Sequence, residues 1–235
     1  MKIGDLEVEV VRRNIKHVYL RVSPPDGRVQ VRVPLRLGNA LVQRAVTDRL
    51  DWIRRQQNKL LNRPPAAARR MHSGESHSYL GQPYRLDVVE LDARPSVTVT
   101  DDRTLRLQVR PGSDRAARLA VLENWYRAQL KALLPALIDE WQQRIGVTVA
   151  EVRIRRMRTR WGTCNIGARR IWLNLALART PPECLEYILV HEMVHLLERY
   201  HNRRFRSFMD RFLPDWRRRE TVLNAFPAAS GSPIG

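Results

Sequence analysis

Alternating apolar and polar residues predict β-strands in the N-terminal half of the chain. Apolar side chains alternate with polar ones at residues 18–22 and 29–33, on either side of a Ser-Pro-Pro-Asp-Gly turn. The same alternation recurs at residues 97–100 and 105–109, across a pair of aspartates. Because successive side chains of a strand point to opposite faces, each pair of runs is predicted to form a β-hairpin with one buried face.

Helical periodicity follows each predicted hairpin. After Pro34, Asn39 is placed to cap a helix whose apolar face extends to Leu60. A second helix follows Pro111, and Pro135 is expected to kink or divide it. The apolar positions of this second helix are Leu119, Leu122, Tyr126, Leu130 and Leu133. The order hairpin, proline, helix then occurs a third time. This is a weak internal echo, meaning a repeat of the same elements with irregular spacing.

The third helix is predicted to be apolar on nearly all sides. Its start is marked by Thr180 as the N-cap, Pro181 at the first helical position and Glu183 three residues after the cap. Most residues from 185 to 197 are apolar, and a helix without a polar face is typically buried. The His-Glu-Met-Val-His run at residues 191–195 is therefore predicted to lie in the interior.

This run has the spacing of a catalytic metal site. Residues four apart share one face of a helix, so His191 and His195 can both reach one ion. Glu192 lies about 100° further around the axis, where a carboxylate can take a proton from an attacking water. The alternative is an interior helix whose histidines only satisfy hydrogen bonds. It would desolvate two imidazoles and a carboxylate together without a partner, so the metal interpretation is favoured.

Two residues compete for the third ligand position. A catalytic zinc site has three protein ligands and an open position, whereas a structural site has four. His201 could return to the metal if residues 198–200 end the helix and turn the chain. Glu198 is the rival, but it belongs to the same helix as His191 and would point along its axis. His201 is preferred on these geometric grounds.

The chain resembles the YgjP-like metallopeptidases, a zincin group related to the SprT and WLM proteins. The resemblance rests on Arg-Trp-Gly-Thr-Cys at residues 160–164, Asn174, the histidine motif to His201, and then Phe205, Pro214 and Asp215. It implies zinc on His191, His195 and His201, with Glu192 as general base. It also implies that a strand edge at residues 171–177 receives an extended peptide substrate. Thr163 replaces the commoner serine and keeps its hydroxyl.

Together these patterns predict an α+β fold. A β-hairpin-and-helix N-terminal region is expected over residues 1–110, followed by a zincin-like catalytic region at 111–227 and a flexible tail at 228–235. Residues 63–70 are expected to form a linker or an exposed loop.

The charge of the chain adds a second candidate partner. There are 42 Lys and Arg against 24 Asp and Glu, a formal net charge of +18. Such an excess attracts polyanions, and the arginines concentrate at residues 153–170 and 203–219, which are expected to flank the metal site. Nucleic acid is therefore considered beside a peptide or protein substrate. A solvated basic surface explains the charge equally well, and no helix-turn-helix, zinc-finger or RNP pattern is present.

The remaining predictions concern the cellular compartment and the places of single residues. The N-terminus lacks a signal-like apolar run and no stretch approaches 18 apolar residues, so a cytoplasmic protein without a membrane partner is expected. Cys164 and Cys184 lack metal-type spacing, and their scarcity fits a reducing compartment.

Trp161 is interpreted as a core aromatic. Asp215 either accepts a hydrogen bond from a ligand histidine or is an exposed acid at a helix start. The remaining histidines, predicted to be surface or loop residues, are His17, His72 and His77.

The function predicted from the sequence is that of a zinc-dependent metallopeptidase. Two alternatives stand beside it. One is a nucleic-acid-associated protease of the SprT kind, for which the charge is the argument. The other is a non-enzymatic basic nucleic-acid-binding protein with structural zinc, against which an open coordination position would count.

Overall fold

A computed structural model describes residues 1–23, 26–61, 70–100 and 103–226. The chain divides into two compact units, Met1–Ala68 and Arg69–Gly235. The predicted tail, most of the predicted linker and parts of both predicted hairpin turns lie outside the described residues. Among the described helices, none is both long enough and apolar enough to cross a membrane.

The first unit is a four-stranded sheet covered by two helices. The sheet has the order β1-β2-β4-β3, and β3 and β4 are the predicted hairpin. Alternate residues of β4, Val29, Val31 and Val33, are buried against Val42 and Val46 of the first helix. The elements are β1 (Lys2–Ile3), β2 (Leu6–Arg13), β3 (Tyr19–Ser23), β4 (Arg28–Pro34), α1 (Asn39–Thr47) and α2 (Leu50–Leu61).

The single helix predicted after Asn39 is two helices in the structure. A turn at Asp48 and Arg49 separates α1 from α2. The N-cap of α1 is Gly38, which makes no side-chain cap hydrogen bond. Asn39 does not cap the helix as predicted, because it is the first helical residue and its side chain accepts a hydrogen bond from Arg12 at 2.7 Å.

The second unit begins with a sheet that packs against one long helix. The sheet has the order β5-β6-β8-β7, and β7 and β8 are the second predicted hairpin. Pro135 does not divide the helix that follows, which is continuous over 31 residues and capped by the Asp114 side chain. The elements are β5 (Ser76–Tyr79), β6 (Gln82–Glu90), β7 (Ser96–Thr100), β8 (Thr104–Val109) and α3 (Arg115–Ile145).

The boundary between the units differs from the one predicted near residue 110. Leu105 and Leu107 of β8 are fully buried in the same hydrophobic cluster as Leu122 and Tyr126 of α3. Burial of this sheet against the helix therefore joins residues 70–109 to the catalytic region, and the units separate near residue 68 instead.

A third, three-stranded sheet corrects the predicted substrate edge. Its strands are β9 (Glu151–Arg155), β10 (Gly162–Asn165) and β11 (Arg170–Asn174), in the order β10-β11-β9. The prediction that residues 171–177 form an exposed edge is wrong, because β11 is hydrogen-bonded on both sides. The chain then enters a 3-10 helix at Leu175–Arg179. The edge strands of this sheet are β10 and β9.

All three sheets share one topology, which accounts for the echo in the sequence. Each sheet contains three strands that are consecutive in the chain. The first of them is parallel to the third, and the second is antiparallel to the third. The sets are β2-β3-β4, β6-β7-β8 and β9-β10-β11. A helix follows each set, so the proline-preceded helices occupy equivalent places in the chain.

The helix that follows the third sheet is buried as predicted. It is α4 (Pro182–Val194), and every residue from Tyr187 to Val194 is buried. It starts one residue later than predicted, with Pro181 as its N-cap, because the Thr180 hydroxyl donates to the Leu177 carbonyl at 2.9 Å instead of capping α4. Two further helices, α5 (Arg203–Phe212) and α6 (Trp216–Ala225), complete an α+β fold, as predicted.

Candidate metal centre

Three histidines converge where α4 ends. His191 lies in the last turn of the helix, and His195 is its C-cap residue. His201 follows a turn and directly precedes Asn202, whose side chain accepts a hydrogen bond from Phe205 N at 3.0 Å and so caps α5. One nitrogen of each histidine lies within 4.8 Å of the others, and His201 Nε2 is 2.9 Å from His191 Nε2.

The donor atoms suit a metal ion that binds imidazole. Two nitrogens on one tetrahedral zinc would lie roughly 3.3 Å apart, and the 2.9 Å between His201 Nε2 and His191 Nε2 is close to that value. His195 Nδ1 lies 3.2 Å from the Glu198 carbonyl oxygen, so an Nδ1–H donor there leaves Nε2 with a free lone pair. Burial lowers the pKa of His191, His195 and His201, which favours the neutral rings that metal binding requires.

The competing ligand does not join this cluster. Among the described residues, the group of His, Cys, Asp and Glu side chains able to share one ion contains His191, His195 and His201, and Glu198 is outside it. The Glu198 carboxylate instead accepts a hydrogen bond from Tyr200 N at 3.2 Å.

The ring of Phe205 packs against the rings of all three histidines. Its side chain is buried, and its ring centroid lies 4.9 Å from that of His191, 4.8 Å from His195 and 4.7 Å from His201. This buried ring on α5 limits the orientations that the imidazoles can adopt. The predicted apolar stripe of α5 thus contacts the histidine cluster through Phe205.

Glu192 is a buried carboxyl group beside the histidines. Burial raises its pKa to about 8, and the positive charge of Arg160 opposes that shift. Its side chain is packed against Gly162 of β10, where an added Cβ would lie 2.5 Å from Glu192 Oε1. A carboxyl group of this pKa exchanges protons near neutral pH, which is what a general base and acid requires.

Asn174 fixes the loop that carries Arg160, Trp161 and Gly162. Its buried side chain donates hydrogen bonds to the carbonyls of Met157 at 3.1 Å and Arg160 at 2.7 Å. Its backbone N–H donates to the Trp161 carbonyl at 2.8 Å. Trp161 is itself 3% exposed, which confirms it as a core aromatic. Spacing alone gave no sign of the Asn174 contacts or of the packing at Gly162, although the family resemblance included both residues.

The histidines and Glu192 open into a cavity of about 1170 Å³, which we call the cleft. It is lined by β10 and the loop around it, by His191, Glu192 and residues 195–201, and by parts of β9 and β11. Cys164 also lines it, and burial raises the pKa of this thiol to about 12. Cys164 is not part of the histidine cluster, and both it and Cys184 are free thiols.

Of the two alternatives for Asp215, the structure supports the acid at a helix start. Asp215 directly precedes α6, and its carboxylate pairs with Arg218 at 2.8 Å and Arg219 at 2.9 Å instead of reaching a ligand histidine. His77 is not a surface residue: it is fully buried in β5, with Nε2 3.4 Å from Glu75. His17 and His72 are exposed as predicted.

The end of the second arginine-rich segment does not flank the cleft as predicted, whereas Arg206, nearer its start, adds to burial in lowering the pKa of His201. Arg217 pairs with Asp210, Arg218 with Glu183, and Arg219 with Glu186. None of these three arginines lines the cleft within the described residues. Their charge is compensated by carboxylates that connect α4, α5 and α6.

The close packing at Gly162 gives a prediction about activity. Gly162→Ala is expected to lower kcat by about 10²-fold, because the added Cβ displaces the Glu192 carboxylate by the order of 1 Å. Metal content should not change, since the substitution faces Glu192 and Ile188 rather than the histidines. The measurement is steady-state turnover together with metal analysis of the purified variant.

Gly167→Ala is the matched control. Gly167 also lines the cleft, but an added Cβ there would meet only Asn165 Oδ1, at 3.8 Å. The control should retain kcat within about a factor of two. If both alanine variants behaved alike, contact between Gly162 and Glu192 would have no catalytic importance.

Comparison with known proteins identifies a family. The family model described as "YgjP-like, metallopeptidase domain" matches residues 16–226. Among solved structures, the chain is similar to the crystal structure of the metallopeptidase zymogen of Pyrococcus abyssi abylysin. The identity is 22%, the match covers 40% of this chain and 93% of that chain, and the TM-score is 0.37. The comparison with curated proteins gave no match.

Proposed function

The chain belongs to the YgjP-like metallopeptidase family, and on that premise we propose that it hydrolyses peptide bonds with one zinc ion held by His191, His195 and His201. Glu192 acts as the general base. The observation that carries the proposal is the convergence of three imidazoles, all with lowered pKa, beside a buried carboxyl group whose pKa is raised to about 8.

Glu192 moves a proton twice in this reaction. When bound, zinc polarises the substrate carbonyl and lowers the pKa of water to about 7. Glu192 accepts one proton from the attacking water on a carboxylate oxygen and later donates it to the departing amine nitrogen. The net reaction adds one water across the peptide bond. Gly162 fixes the carboxylate in place because its lack of a side chain allows close contact.

The free edge of β10 is where the substrate backbone binds. β10 is hydrogen-bonded to β11 on one side, and its other edge lines the cleft beside the histidines. An extended peptide can add to such an edge through backbone hydrogen bonds, while its alternate side chains face the walls of the groove. The Asn174 hydrogen bonds hold the loop that leads into β10, so the edge has a fixed position relative to Glu192.

Metal analysis combined with a cleavage assay tests the proposal. Purified protein is expected to contain about one zinc per chain and to cleave casein or a random peptide library. A chelator should abolish cleavage, and added zinc should restore it. Stoichiometric zinc with no cleavage of any peptide would instead favour the structural-zinc alternative. That alternative requires a fourth protein ligand, and the described residues offer three clustered donors.

A further inference from the structure

Several positively charged side chains line the cleft. Its cationic lining residues are Arg155, Arg160 and Arg199, all of them exposed. Within the described part of the chain, none of the three forms an ion pair. Two carboxylates also line the cleft: Glu192 is buried against Gly162 and feels the charge of Arg160, and Glu198 accepts the Tyr200 N–H.

Some arginines elsewhere in the second unit have carboxylate partners. Examples are Arg118 with Glu90 at 2.5 Å, and Arg144 with Glu140 at 3.0 Å. A guanidinium group can bind a carboxylate through two parallel hydrogen bonds, and among the described residues the cleft arginines have no carboxylate partner of this kind. Their missing partners can be supplied by a ligand that enters the cleft.

Arg155 is the most constrained of the three cleft arginines. Its guanidinium carbon lies 4.9 Å from the ring centroid of Trp172, which also lines the cleft. Stacking on an indole ring restricts the guanidinium while leaving its N–H edge available. Arg153 stacks on the same ring at 5.3 Å but is paired with Glu151, a carboxylate that it shares with Arg170.

We propose that the cleft selects peptides with acidic side chains flanking the cleaved bond, and that Arg155, with Arg160 and Arg199, binds those side chains. The proposal rests on the peptidase function proposed above and names its substrate class. A peptide on the β10 edge projects its alternate side chains away from the backbone plane, towards the residues that line the groove. A peptide is favoured over nucleic acid because these arginines line the same concave cleft as the histidines, where a reacting bond must lie.

The test uses one peptide scaffold with Glu, Gln or Lys at the flanking positions. The zinc-loaded full chain is expected to cleave the Glu peptide with a kcat/KM about tenfold above that of the Gln peptide, and the Lys peptide more slowly still. The ratio should fall as the salt concentration rises, since exposed charges are screened. Equal rates for the three peptides would overturn the acidic preference and leave the peptidase function intact.

Arg155→Gln and Arg153→Gln form a matched pair. Each substitution removes one positive charge from β9, and each of the two arginines stacks on Trp172. Only Arg155 lines the cleft. Arg155→Gln is expected to reduce the Glu-to-Gln ratio by roughly fivefold, and Arg153→Gln by less than about twofold. An equal loss in both variants would show that general surface charge, and not the cleft, sets the preference, which overturns the proposal.

A binding measurement separates this proposal from the peptidase function. Fluorescence anisotropy with labelled peptides does not require cleavage, so it reports on selectivity even if no peptide is hydrolysed. Tighter binding of the Glu peptide than of the Lys peptide, weakened by Arg155→Gln, supports the proposal. Tighter binding of single-stranded DNA that displaces the Glu peptide and is weakened by Arg155→Gln would assign the arginines to nucleic acid and overturn it.

Discussion

Glu192→Gln is expected to lower kcat by about 10²–10⁴-fold while the variant retains its fold and its zinc. Glutamine has nearly the same shape as glutamate and fits the packed contact with Gly162, but its amide cannot accept a proton from water. The three histidines are unchanged, so metal affinity should be close to that of the parent. Steady-state kinetics on a peptide that the parent cleaves, together with zinc analysis, checks the result. A variant with near-parental kcat would show that another group takes the proton.

The same substitution should change how stability depends on pH in the metal-free protein. Burial raises the pKa of Glu192 from 4.5 to about 8. Between these values the unfolded chain has released the proton that the folded chain still holds, so the free energy of unfolding falls as the pH rises from about 4.5 to about 8. Glu192→Gln removes this contribution. Denaturant unfolding of both proteins across that pH range measures it, and parallel pH profiles would contradict it.

His201→Ala is expected to reduce zinc affinity by at least about 100-fold and to abolish hydrolysis at trace zinc. Loss of a residue that only orients a metal ligand already costs about 10–100-fold in affinity, and loss of a ligand costs more. His191→Ala and His195→Ala should behave in the same way. Competition with a chromophoric chelator measures the affinity of each variant, and circular dichroism checks that each is folded.

His72→Ala is the control for these variants. His72 is exposed and lies outside the histidine cluster, so its loss should not change zinc affinity. Full zinc occupancy in His201→Ala would assign the third ligand to another residue. Glu198 would then be the next candidate, and a Glu198→Gln variant would have to lose the metal.

Much of the secondary structure could be predicted because it depends on local periodicity. The hairpins β3-β4 and β7-β8 and the burial of α4 follow from the spacing of apolar side chains within about ten residues. The errors about the substrate edge and His77 concern contacts between strands, whereas the wrong caps at Asn39 and Thr180 are local errors. Nothing near β11 in the sequence shows that β9 pairs with it in parallel and β10 pairs on its other side, so its edge was predicted to be free. His77 was placed on the surface for the same reason, since its burial depends on packing partners that are remote in sequence.

The sequence by itself determined the α+β class, the buried helix and the placement of His191 and His195 on one helical face. These features depend on the fixed 3.6-residue turn of a helix, which relates neighbouring residues without reference to the rest of the chain. The tertiary structure decided which residues meet across long separations. The turn after α4 brings His201 to 2.9 Å from His191, and β10 places Gly162 against Glu192. It also decided which arginines form ion pairs: within the described residues, carboxylates of other elements pair with Arg217, Arg218 and Arg219, whereas the cleft arginines form no ion pair.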